Sequence, residues 1–110
     1  RVLGRDDDIV LSGGVSVPLP AVDALLAEHP DLADAVAVGL ADPEWGTRVV
    51  AVAVPRPGAT PTLDVVRTFV AERAEPAYVP RDLVLVDDLR RPAPGKVDRA
   101  AIAARLGWET

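Results

Sequence analysis

The amino-acid sequence predicts an α+β fold, a small sheet of about three strands flanked by helices, with an N-terminal hairpin. Three observations carry this reading. Short β-branched apolar runs stand at 34–40, 49–54 and 83–86, and apolar residues recur with helical spacing in 20–29, 63–73 and 99–106. The two kinds of segment are interleaved in the order hairpin, α, β, β, α, β, loop, α, which implies a small mixed sheet with one face covered by helices. At 110 residues the chain bounds one domain with a single modest core.

Each element has a local reason. Ile9-Val10-Leu11 and Val15-Ser16-Val17 flank Gly13-Gly14, a hairpin turn pair. Pro20 suits the first turn of a helix in which Val22, Leu25 and Leu26 share a face, and His29-Pro30 closes it. In 34–40, Val36, Val38 and Leu40 alternate with Ala35, Ala37 and Gly39, while 49–54 is apolar on both faces; the two read as interior strands paired antiparallel across the turn residues Asp42-Pro43-Glu44-Trp45-Gly46. Thr62 caps a helix from Leu63 to about Arg73, with Leu63, Val66 and Val70 in one stripe and Phe69 beside it. Leu83 to Val86 is a third strand. After a proline-broken stretch from Asp87 to Lys96, Asp98 caps a helix from Arg99 to Leu106 that Gly107 stops.

Composition narrows the function. A formal net charge of −5 lacks the basic footprint that nucleic acid or an anionic membrane surface demands, and no apolar run is long enough for a membrane span. The absence of cysteine removes disulfides and thiolate metal sites, so a cytoplasmic location is expected. The chain opens on Arg1 rather than Met and runs at once into patterned sequence, as a piece of a longer protein would.

Charge is unevenly spread. Residues 1–30 and 31–80 each sum to −3 and residues 81–110 to +1, so only the last third, where Arg90, Arg91, Lys96 and Arg99 crowd one loop and a helix start, is suited to an anion; the alternative is a solvated basic patch. Lys96 is the single lysine beside 11 arginines. Arginine-biased composition explains that, or else the position needs a compact, freely rotating point charge rather than a planar fork. Gly13-Gly14 is a turn or a place where a ligand approaches the backbone. Asp6-Asp7-Asp8 has no metal-ligand spacing and reads as a solvated acidic turn; His29 helps end a helix; Trp45 and Trp108 are packing or rim residues.

Gly4-Arg5-Asp6-Asp7-Asp8-Ile9, Ser12-Gly13-Gly14, His29-Pro30, Asp42-Pro43-Glu44-Trp45-Gly46 and Pro94-Gly95-Lys96-Val97-Asp98-Arg99 together resemble, in order and spacing, the C-terminal domain of the adenylate-forming superfamily of acyl- and aryl-CoA synthetases, peptide-synthetase adenylation domains and luciferase. Val17-Pro18-Leu19-Pro20-Ala21-Val22 looks most like the actinobacterial o-succinylbenzoate:CoA ligases of menaquinone biosynthesis.

The resemblance implies that residues 1–110 are the mobile C-terminal domain of a two-step ligase whose large N-terminal domain is absent from this chain. A carboxylic acid and MgATP would give an acyl-adenylate, and CoA would then displace AMP as the thioester forms. ATP and Mg2+ would be held mainly by the missing N-terminal domain, this chain's expected partner, and the isolated chain would be inactive. By the same resemblance Lys96 is the adenylation lysine, Asp7 the hinge, Arg5 a hinge-adjacent, nucleotide-proximal arginine, and Ser12, Gly13 and Gly14 the face lining the pantetheine path. Two departures stand out: the family's acidic pair after the glycine turn is Ala21 and Asp23 here, and its Leu-Pro-Arg-Thr is Leu89-Arg90-Arg91-Pro92. Rival readings are another aryl- or fatty-acyl-CoA synthetase, a peptide-synthetase adenylation domain, and a non-catalytic small-molecule-binding module.

Overall fold

Gly13 and Gly14 turn the first hairpin with φ of 59° and 83°, the pair of positive values that matches the right-handed twist of its strands and that glycine adopts without a Cβ clash. The computed structural model describes residues 8–107. Strands β1 (Ile9–Ser12) and β2 (Val15–Pro18) pair antiparallel about that turn. Helix α1 (Leu19–Ala27) follows at once, with Pro20 in its first turn, where a missing N–H costs nothing, and with Leu19, Val22 and Leu26 buried.

β3 (Leu32–Asp42) and β4 (Gly46–Pro55) are antiparallel, registered from Asp42 opposite Gly46 to Leu32 opposite Pro55. The expected pairing holds, and both strands run longer than their apolar cores. Helix α2 (Leu63–Ala71) starts where Thr62 Oγ1 accepts the Val65 N–H at 3.3 Å, and buries Val66 and Val70. A single 3-10 turn at Pro76–Tyr78, which the pattern does not announce, leads to β5 (Asp82–Leu85). β5 lies parallel to β4, from Val50–Asp82 to Ala53–Leu85, with α2 in the crossover. Helix α3 (Arg99–Arg105) is capped by Asp98, whose Oδ1 accepts the Ala101 N–H at 3.0 Å.

Two details of the expected architecture are corrected. The hairpin joins the main sheet through Ser12 opposite Gly46, so a single five-stranded sheet replaces three strands plus a hairpin. Helices also cover both sheet faces rather than one. Ala35, Ala37, Ala51 and Ala53 meet α1 and α2 on one side, small residues that let two helices lie close to the strands. Val36, Val38, Leu40, Val50 and Val52 meet Leu89 and the Ile102 and Ala103 of α3 on the other. The reason is that both alternate sets in β3 and β4 are apolar, so each face needs a cover.

Candidate functional site

Lys96 stands exposed on the loop between β5 and α3. Its N–H donates to Ala93 O at 2.9 Å, closing a turn that Gly95 completes at φ 77°. Beside it opens a cleft of about 930 Å³ bordered by Asp8, Val10, Gly39 and Asp98 as well as by Lys96. Among the described residues neither Lys96 nor Arg90 makes an ion pair.

The other two cations of the expected anion patch are already committed. Arg91 forks onto β3, with Nη2 2.7 Å from Asp34 Oδ1 and Nε 3.0 Å from Oδ2, while its Nη1 donates to the Lys96 carbonyl at 2.8 Å. That fork holds the Asp34 carboxyl below its ordinary value of 3.8, against the opposing effect of partial burial, and Asp34 in turn raises Arg91. Arg99, the first residue of α3, reaches Asp23 Oδ1 and Oδ2 at 3.0 and 2.9 Å, Ala37 O at 2.8 Å and Asp8 Oδ1 at 3.2 Å. The four-cation patch is therefore corrected to Lys96 and Arg90, because carboxylates from α1, β3 and the segment before β1 neutralise the other two.

Asp8 also departs from the expected solvated turn, since it is half-buried against Arg99. Asp23, the carboxylate that remains of the altered acidic pair, keeps a partner: its Oδ1 takes the Ala37 N–H at 2.6 Å besides Arg99. Arg5 and Asp7 lie outside the described residues, as does Trp108.

At the far end of β1, after about 13 Å of strand at the usual rise, the Ser12-Gly13-Gly14 turn rests on the β3–β4 loop. The Gly13 N–H donates to Trp45 O at 2.9 Å, and a Cβ on Gly13 would lie 2.9 Å from the Trp45 ring. Arg81 covers that ring at 3.7 Å. Asp42 shapes the loop from within: the N–H groups of Trp45 and Glu44 bind its carboxylate at 2.9 and 2.8 Å and hold its pKa below the ordinary value. The glycine turn thus presents an open side at Gly14, around which no atom lies within 4 Å of a built Cβ, and a filled side at Gly13. His29 is buried against Phe69, with ring centroids 4.8 Å apart, and its Nδ1 accepts the Asp31 N–H just past the end of α1.

Sequence reasoning missed Asp34 and Asp23 as parts that hold the lysine loop and α3, whereas Trp45, expected as a packing or rim residue, does pack against Gly13. The only local signal was the altered acidic pair containing Asp23; Asp34 lies 57 residues from Arg91 and carries no mark in the sequence.

The family model for the AMP-binding enzyme C-terminal domain matches residues 21–96. A Mycobacterium tuberculosis protein described as a "probable 2-succinylbenzoate–CoA ligase" is 42% identical over 109 residues, covering 98% of this chain and 28% of that protein. A medium/long-chain-fatty-acid–CoA/3-oxocholest-4-en-26-oate–CoA ligase of Mycobacterium marinum is 41% identical over 97 residues, 88% of this chain and 18% of that protein. Among solved structures, o-succinylbenzoate CoA synthetase from Bacillus subtilis, a double mutant bound with a product analogue, superposes with a TM-score of 0.81 at 27% identity, over 94% of this chain and 21% of that one. The chain therefore spans less than a third of the relatives it matches, and it belongs to the AMP-binding enzyme C-terminal domain family.

Proposed function

We propose that this chain is the small, mobile domain of an AMP-forming acid:CoA ligase and that Lys96 serves its first half-reaction. The carrying observation is an exposed lysine without an ion-pair partner among the described residues, standing at a cleft where the nearby Arg91 and Arg99 are spent on structural pairs. In that reaction a carboxylate oxygen attacks the α-phosphorus of ATP, pyrophosphate leaves, and negative charge gathers between the acid and the phosphate. A cation held there in advance stabilises that charge without reorganisation at the moment of reaction. The CoA thiol then attacks the acyl carbon, AMP leaves, and the thioester forms. The large N-terminal domain would hold most of the ATP, Mg2+ and acid contacts. Among the described residues no three metal-ligating side chains converge.

The second half-reaction is assigned to the Ser12-Gly13-Gly14 face, with Arg5 near the nucleotide and Asp7 as the hinge between the two presentations. The acid we favour is o-succinylbenzoate, on the strength of the 42% identical relative, which would place the enzyme in menaquinone biosynthesis in the cytoplasm. A fatty or other aryl acid is the second reading, of which the fatty acid is favoured by the 41% identical Mycobacterium marinum ligase.

The test is the full-length enzyme carrying Lys96→Ala. Adenylation, followed as acid-dependent pyrophosphate exchange over a panel of acids, should slow about a hundredfold or more. Thioester formation from supplied acyl-adenylate should continue. Equal loss in both half-reactions, or in neither, rejects the role of Lys96, and the best acid of the panel decides between the two readings.

A further inference from the structure

We propose that Arg91, seated on Asp34, is a positioning residue for Lys96, an inference that rests on the adenylation role assigned above. A lysine side chain has four rotatable bonds, so the place of its ammonium depends first on where the backbone of residue 96 is held. Here that backbone belongs to an exposed loop containing Pro92, Pro94 and Gly95. Its internal tie, the Lys96 N–H to Ala93 O, moves with the loop. Val97 packs against the core on its C-terminal side, and the hydrogen bond that ties the backbone of residue 96 itself to the rest of the fold, among the described residues, is the one from Arg91 Nη1 to the Lys96 carbonyl at 2.8 Å.

The geometry suits the task. Nε and Nη2 take the two Asp34 oxygens side by side, which fixes the guanidinium plane and leaves Nη1 aimed at the loop. Asp34 sits in β3 opposite Val54 of β4, just after a register shift between Leu32 and Asp34, and opens the continuously paired stretch that runs to Asp42, so the anchor is a paired strand. A lysine at 91 would bring one nitrogen in place of three arranged in a rigid fork, and could not keep both attachments in the same geometry. The chain enters the brace through Arg90 at φ 56°, a left-handed backbone that few side chains tolerate, whose N–H is held by Asp88 Oδ1 at 2.8 Å.

The side chains of Arg91 and Asp34 are 26% and 39% exposed. Removing either leaves a charge that water can solvate, so variants here report on placement rather than on folding.

The experiment uses the full-length enzyme with o-succinylbenzoate, or the best acid of the panel, and the variants Arg91→Ala, Arg91→Lys and Asp34→Asn, each alone and combined with Lys96→Ala. Arg91→Ala should slow adenylation about tenfold or more, in kcat rather than in KM for ATP, because a misplaced catalytic group weakens the transition state and not substrate binding. Arg91→Lys should recover only a small part, and Asp34→Asn should fall between wild type and Arg91→Ala. On the Lys96→Ala background Arg91→Ala should cost nothing further, the non-additivity expected when one residue acts through another. Thioester formation from supplied acyl-adenylate should stay within about twofold of wild type in every Arg91 and Asp34 variant, since that step leaves Lys96 idle. Slow Lys96→Ala with unimpaired Arg91→Ala overturns the brace alone, as does an equal further loss on the Lys96→Ala background or equal damage to both half-reactions. An adenylation rate untouched by Lys96→Ala overturns the lysine's role and the brace with it.

Discussion

The guanidinium of Arg99 lies in the fork of Asp23, with Nη2 2.9 Å from Oδ2 and Nη1 3.0 Å from Oδ1, and joins α3 to α1 across the edge of the sheet. Its side chain is 10% exposed and those of Asp23 and Asp8 are 21% and 25%, so this is a largely buried triad rather than a surface pair.

Removing its centre should therefore be costly. Arg99→Ala leaves two carboxylates shielded from water beside each other and takes a donor from Ala37 O, and breaking a buried pair from one side typically costs about 3 kcal/mol or more. Urea unfolding of the chain should show that loss. A cost below about 1 kcal/mol would mean that water reaches the triad and that α3 is held by Ile102 and Ala103 alone.

Two neighbouring glycines should respond differently. Gly13 and Gly14 both have positive φ, but only Gly13 faces the Trp45 ring. Gly14→Ala should lose about 1 kcal/mol from backbone strain. Gly13→Ala should lose about 2–3 kcal/mol, because a Cβ must also push the ring aside. Thermal unfolding of the two variants checks the difference, and equal losses would show that Trp45 yields freely.

The Asp34–Arg91 pair makes a pH prediction with a definite sign. The folded carboxyl titrates below 3.8, its ordinary value, so the pair contributes stability above that value and loses it as pH falls through the lower, folded one. At neutral pH wild type should exceed Asp34→Asn by less than about 1 kcal/mol, since the pair is partly solvated and screened. Denaturation midpoints should converge as the pH drops below 3.8, and a gap that widens in acid would reverse the assignment.

ATP should bind this chain only weakly when it stands alone. Of the four cations clustered at 90–99, two are neutralised by carboxylates, and the whole chain carries −5. Calorimetry should detect no binding tighter than about millimolar. Micromolar binding would place a complete nucleotide site within these residues and reject the reading of the chain as part of one.

What could be read in the sequence was what short-range physics decides. Side-chain alternation marked β3, a β-branched run apolar on both faces marked β4, helical spacing marked the three helices, and Thr62 and Asp98 were legible as caps because a cap bonds to an N–H three residues on. Gly13-Gly14 was legible as a turn because few other residues accept φ values of that sign. Lys96 could be singled out by its rarity and its loop. None of these signals could say that α3 crosses to the second face of the sheet, that β5 lies parallel to β4, or which arginines are taken. Arg91 meets Asp34 across 57 residues and Arg99 meets Asp23 across 76. Such pairs depend on strand register and on which side of the sheet each segment lands, and a shift of one residue in β3 would turn Asp34 to the opposite face. Tertiary structure alone therefore decided that of four clustered cations two would be struts, leaving Lys96 and Arg90 without a carboxylate partner among the described residues.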